Sequence, residues 1–397
     1  MKLWRIIKVE AQKKTSIFSK NFVLLYFIMM MTRTFMVSDK GISVALESVG
    51  ISAALIGSLS TIFGLLAVLG RIFSGPASTV VRPNRMLAFS MLLDAGAFFC
   101  YSIPNVYVYA VGRILEGLTY AFQGPASMMI LADAVPHERY NTAIGVFTTR
   151  SYVGSTLGPI LFFSFLVKYF GYFGGYRWIA LGLLVMAGLS LTLKVKEFTP
   201  QKLKFSVRNM IAPECITPLL IMLCLSVTFT TIDIFTTSYC ASRGMSDDEI
   251  SIILAVSSIA TIVIGIVGSM LADKFSMRKV LLPCIIIYAL GLVFFAKSDT
   301  LLLLTLASIP VNGAYTVVGN IISALTVQQV EPERRGVAAG TFSLAYDVGF
   351  MIGPAIAGFL VTKIGYSSMF LWCVAPCVLC LCLLALYWKK LTAVDNH

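Results

Sequence analysis

Charge is what this chain of 397 residues has least of. Asp, Glu, Lys and Arg together make up 13% of it, against 58% hydrophobic residues and a mean hydropathy of +0.86. A soluble domain carries about 25% charge. So little charge excludes a surface covered by water and leaves the apolar excess to face a lipid bilayer. Histidine is almost missing, with His137 and His397 alone. The nine cysteines are scattered, mostly in apolar runs, and no CxxC pair stands beside a histidine. Neither a zinc site nor a disulfide framework is indicated, and no metal or cofactor is expected. Cys373, Cys377 and Cys380 share one face of the last apolar run and read as small apolar residues. The first apolar run lacks a small-residue cleavage site, so it reads as a retained anchor, not a signal peptide.

Acidic residues are also scarce, 19 against 31 basic ones, for a net charge of +12. Nucleic-acid binding is the first thing such basicity suggests. Placement argues against it, because the basic residues cluster in alternate short loops. Spans of about 20 apolar residues are expected near 21–46, 53–78, 85–103, 107–132, 141–167 and 177–194. After a polar stretch, KEFTPQKLKFSVRN, six more are expected near 214–240, 248–272, 279–296, 301–328, 337–362 and 367–389. With both termini placed in the cytoplasm, the inside segments hold Arg82, Arg85, Arg139, Lys274, Arg278, Lys279, Arg334 and Arg335, the N-terminal cluster and the middle loop. The outside segments hold few basic residues, so both ends are expected to be cytoplasmic.

The chain repeats itself. Gly145-VFTTRSYV-Gly154-STL-Gly158-Pro159 matches Gly340-TFSLAYDV-Gly349-FMI-Gly353-Pro354 with identical glycine spacing. A second match links Arg71–Arg85 with SMLADKFSMRK at Ser269–Lys279. The chain therefore reads as two copies of a six-helix unit, with a binding site between them near the membrane midplane. The boundaries are a cytoplasmic segment 1–20, a bundle 21–194, a linker 195–213, a bundle 214–390 and a tail 391–397. Lipid gives helices no hydrophobic drive to associate, so small residues must bring backbones together. The glycine pairs 154/158 and 349/353 supply that, and Pro159 and Pro354 loosen the helix just beyond.

These residues resemble the major facilitator superfamily over nearly the whole chain. SMLADKFSMRK is similar to the family's charged loop motif, with Asp273, Lys274, Arg278 and Lys279 in register. In the N-terminal copy Thr79 stands where the family has its aspartate. Arg113-Ile-Leu-Glu116-Gly117 resembles the family's fourth-span motif. The fifth-span pattern through Pro159 resembles that of drug:proton antiporters. The resemblance implies an all-α membrane protein of twelve helices in two pseudo-symmetric bundles, working by alternating access in the cell inner membrane.

An ionisable side chain at mid-bilayer costs at least ~2.5–3.5 kcal/mol, which makes each one a functional candidate. In the family the first, fourth, seventh and tenth spans line the central cavity. The resemblance therefore places Arg33, Arg113, Glu116, Asp233, Asn312 and Asn320 on the path of substrate or proton. Asp233 has no basic neighbour in its own helix and is the candidate proton site, or else the partner of an arginine from the other half. Arg150 and Asp347 fall in spans that meet between halves and are candidates for a bridge that breaks on alternation. Gating or coupling is also assigned to Asp273, Arg278 and the repeated glycines and prolines. Asp94 reads as structural, and Asp39-Lys40 as an interfacial pair. The leading reading is a monomeric proton-coupled antiporter exporting an amphipathic organic small molecule. The second is a symporter or exchanger importing an organic anion such as a carboxylate. A membrane enzyme or receptor is the third, and no nucleophile motif, metal cluster or phosphate loop supports it.

Overall fold

The computed structural model describes residues 17–136, 139–195, 212–275, 277–331 and 334–392. Within these, the side chains of 71–79, 141, 273, 277–278, 335–336, 339 and 387–392 are not described. The described residues form helices without a strand. In chain order they are α1 (Lys20–Met36), α2 (Ala53–Val80), α3 (Pro83–Tyr101), α4 (Val106–Ala134), α5 (Tyr140–Pro159) and α6 (Lys168–Leu191). The second half gives α7 (Ile216–Ser242), α8 (Asp247–Phe275), α9 (Met277–Lys297), α10 (Leu301–Gln328), α11 (Arg335–Trp372) and α12 (Val374–Thr392).

Local chemistry sets the helix ends. Ser19 caps α1 by accepting from the Phe22 amide at 3.1 Å, and its hydroxyl donates to Ala134 O. Asn105 accepts from the Tyr107 and Val108 amides and starts α4. Ser246 and Glu249 form a reciprocal capping box at the start of α8. The first span does not stop at Met36. It tightens through a 3₁₀ turn, Val37–Gly41, and resumes over Ile42–Glu47.

Among the described residues, eight segments are long and apolar enough to cross a membrane. Two of them, Thr142–Leu191 and Gly340–Leu386, are of double length. Each turns back at a glycine in the left-handed region, Gly171 (φ +66°) and Gly365 (φ +77°), a conformation that other side chains rarely take. Halved there, they raise the crossings to ten. The remaining two long helices, α3 and α4, bury Asp94, Arg113 and Glu116, and these polar groups dilute their apolar pattern. Apolar windows such as that of Asp247–Ala272 are only 39% buried. Met270, Leu302 and Leu386 are correspondingly more than 60% exposed, which is the belt a bilayer would cover.

Bonds among Ser19, Asn21, Ala134 and Lys194 gather several helix ends at one end of the bundle. We call this end proximal and the end near Glu47, Gly171, Asp247 and Gly365 distal. The repeated glycines do the same job in both halves. Gly154 and Gly158 of α5 lie against Arg33, Thr34 and Val37 of the first span, while Gly349 and Gly353 of α11 lie against Ser226, Val227 and Thr230 of α7. Pro159 ends the regular part of α5, and a wider π-helical turn, Ile160–Val167, follows it. The linker 195–213 lies almost wholly outside the described residues.

Candidate functional site

Between the halves lies a cavity of about 610 Å³, bordered by α1, α4, α5, α7, α8, α10 and α11. Pockets that hold drug-sized molecules span about 300–1,000 Å³. One wall is aromatic: Phe229 stacks on Tyr315 with centroids 4.0 Å apart and planes 7° from parallel, and Tyr346 adjoins Phe229.

The distal end of this cavity is sealed by bonds that cross between halves. Lys40 of the 3₁₀ turn pairs with Asp233 of α7. The Thr237 hydroxyl donates to Lys40 O, and the Ser43 hydroxyl donates to Ile234 O at 2.8 Å. Farther out, two tyrosines form a matched clasp. Tyr172 follows the break at Gly171 and donates from its hydroxyl to Asp247 of the other half. Tyr366 follows the break at Gly365 and donates to Glu47, back in the first half, at 2.5 Å. Backbone contact completes the seal: a Cβ built on Gly57 of α2 would fall 2.1 Å from Pro354 O, and one on Gly358 would fall 2.3 Å from Ala53 O. Only glycine lets α2 and α11 approach this closely.

The charged candidates part company here. Arg113 and Glu116 form a buried pair at 2.8 Å. Glu116 also accepts from the Tyr101 hydroxyl, and Arg113 Nε donates to the Tyr109 hydroxyl. The guanidinium sits over both tyrosine rings. Glu116 reaches the cavity wall, but Arg113 stays behind it. Asn312 lines the cavity and donates to Ser308 O. Asn320 points away and donates to Ser269 on α8. Asp347 is buried on α11 where Gly64 of α2 packs against its carbonyl. Arg150 does not pair with it. It lines the cavity instead, donates to Phe147 O at 2.7 Å and lies 3.6 Å above the Phe147 ring. Asp94 is fully buried in α3, and its Oδ1 has no partner among the described residues. The side chains of Asp273 and Arg278 are outside the described set.

Arg33 is exposed to the cavity and spends one donor, Nε, on the Ser155 hydroxyl at 3.1 Å. Asp39, read from sequence as half of an interfacial pair with Lys40, lines the cavity, while Lys40 is bonded across to Asp233. Sequence reading also missed the clasp. Its signal was present as a Gly-Tyr pair at 171–172 and again at 365–366, close to the spacing of the glycine repeat.

Known proteins agree with this architecture. Residues 22–242 and 215–396 each match the profile described as Major Facilitator Superfamily. The chain is 22% identical over 373 residues to the staphylopine export protein of Staphylococcus aureus (strain Mu50), covering 82% of this chain and 85% of that one. It is 25% identical over 311 residues to an uncharacterized MFS-type transporter, YhjO, of Bacillus subtilis (strain 168), covering 75% of each. Among solved structures, the nucleoside transporter NupG superposes with a TM-score of 0.78 at 14% identity, covering 96% of this chain and all of that one. With a profile match to each half, the chain belongs to the Major Facilitator Superfamily of membrane transporters.

Proposed function

We propose that the protein is a proton-coupled antiporter, a monomer that exports an amphipathic organic small molecule by alternating access and has no enzymatic activity of its own. Both termini face the cytoplasm in this reading, so the distal seal is the outer gate. The observation that carries it is the ion pair between Lys40 and Asp233, which joins the halves at the distal end of the central cavity. Protonation of Asp233 neutralises one partner and removes the attraction that holds the gate shut. A proton taken up from outside by the open gate is expelled when the pair re-forms, into a cavity now closed to the outside. Substrate leaving and proton entering then share one gate. The name of the Staphylococcus aureus relative, an export protein, supports the outward direction.

The test uses everted vesicles with an imposed proton gradient, acid inside, and measures accumulation of radiolabelled amphipathic compounds. Wild type accumulates at least one of them, and Asp233→Asn loses the dependence on the gradient. Proton-driven accumulation unchanged in Asp233→Asn would remove Asp233 from the mechanism. The second reading, import of an organic anion by symport or exchange, is favoured by the cations Arg33 and Arg150 in the cavity. Under it, substrate moves with the proton gradient in the same vesicles.

A further inference from the structure

The cavity carries its charge unevenly. Arg33 and Arg150 both line it, on the first and fifth spans, and Gly154 brings those two helices into contact beside the Arg33 side chain. Among the described residues neither arginine has a carboxylate partner. Arg33 commits only Nε, to Ser155, and Arg150 only Nη1, to Phe147 O. The other donors of two guanidiniums are free to act on one face of one cavity, together with the hydroxyls of Ser151 and Ser155. Like charges placed together in a site of low dielectric repel unless an anion joins them. A guanidinium fork is also built to receive a carboxylate or phosphate through two parallel bonds. The Arg150 guanidinium is held 3.6 Å from the centre of the Phe147 ring and bonded to Phe147 O, which restrains its fork before any ligand arrives.

Six residues beyond Arg33, Asp39 lines the same cavity, and its side chain has no hydrogen-bond partner among the described residues. One α-helical turn and the 3₁₀ turn separate the two positions, about 10 Å along the axis. The other charged groups nearby are engaged: Lys40 with Asp233, and Glu116 with Arg113. The stacked rings of Phe229 and Tyr315 line the same cavity.

We propose that Arg33 and Arg150 form an anion subsite facing Asp39 as a cation subsite, and that the transported molecule is a zwitterion. Its acidic and basic groups stand about 10 Å apart on a flat apolar body that lies along Phe229 and Tyr315. This rests on the cavity being the transport path and names the substrate class for it, independently of direction.

The test is binding to the purified full-length protein in detergent, with three probes. The first is a rigid biphenyl with an aminomethyl group at one end and a carboxylate at the other. The second is its primary carboxamide, and the third is the same acid without the amine. Wild type is expected to bind the first about tenfold or more tighter than either of the others, the step of one charged contact of ~1.4 kcal/mol. Arg33→Gln and Arg150→Gln should each erase the about tenfold preference for acid over carboxamide. Asp39→Asn should bring the first probe down to the third. Equal binding of acid and carboxamide by wild type, or no binding of any probe at millimolar concentration, overturns the proposal without recourse to a variant. Retention of the acid preference in both arginine variants also overturns it. Zwitterion-selective binding with substrate and proton moving the same way would keep the subsites and remove only the antiport reading.

Discussion

Removing the tyrosine clasp should open the distal end without unfolding the protein. Tyr172→Phe and Tyr366→Phe each delete a single hydroxyl that donates to a carboxylate of the other half. A hydrogen bond to a charged group contributes about 1.5–3 kcal/mol. Both bonds are only partly buried, so the low end applies, or roughly 3 kcal/mol for the two. At 1.4 kcal/mol per factor of ten, the closed-to-open ratio falls about a hundredfold. An open state populated at about 0.1%, the low end for a minor conformation, rises to about 10%. The phenyl rings stay, so the packing of Tyr172 on Phe162 and Phe163 is preserved. Hydrogen–deuterium exchange reads the outcome directly, because exchange through an opening follows its population. Peptides covering 37–47 and 232–243 should exchange about a hundredfold faster in the double variant. Peptides from the proximal ends of α1 and α3 should not change. Distal protection unchanged within about threefold would refute the clasp. Equal loss of protection everywhere would show general destabilisation in its place.

Further outcomes follow from the same geometry. Glu116→Ala leaves Arg113 charged and buried, and should destabilise the protein by about 3–5 kcal/mol in a detergent unfolding titration. Tyr101→Phe, which removes one donor to Glu116, should cost less, about 1–3 kcal/mol. Lys40→Gln and Asp233→Asn act on one contact, so their effects on distal exchange should fall short of additive by at least about 0.5 kcal/mol; strict additivity would show that the pair does not hold the gate. Gly57→Leu places a side chain where Pro354 O already lies 2.1 Å from a Cβ. It should hold the distal end open, seen as fast exchange over 37–47, whereas Gly154→Ala strains a contact inside one half and should lower thermal stability without opening the gate.

Much of the fold was legible because lipid imposes strong rules on composition. Apolar run length gave most of the helices, and the glycine spacing gave the repeat, since tight helix packing in lipid needs small residues at fixed intervals. The sequence also showed that Arg113 and Glu116, three residues apart, share a helix face. It did not show that Tyr101 and Tyr109 complete the pair behind the cavity wall. Asn312 and Asn320 looked equivalent on one helix. Eight residues turn a helix by about 80° beyond two full turns and advance about 12 Å, enough to put the first in the cavity and the second against Ser269. The partner of Asp233 was out of reach for another reason. Lys40 stands 193 residues away, and nothing in either local pattern encodes which helix ends meet across the halves. The break of α1 into a 3₁₀ turn, which carries Asp39 and Lys40 to the gate, has no clear signal in VSDKG.

The direction of coupling between proton and substrate separates export from import most directly. Everted vesicles carrying the protein are energised until the lumen is acid, and an acridine dye reports the gradient as quenched fluorescence. A transported compound is then added outside the vesicles. Antiport predicts partial recovery of fluorescence as each molecule entering the lumen releases protons from it, with no recovery in Asp233→Asn vesicles. A compound that accumulates in the lumen while the quench deepens, or recovery of equal size in Asp233→Asn, would contradict proton-coupled export through the Lys40–Asp233 gate.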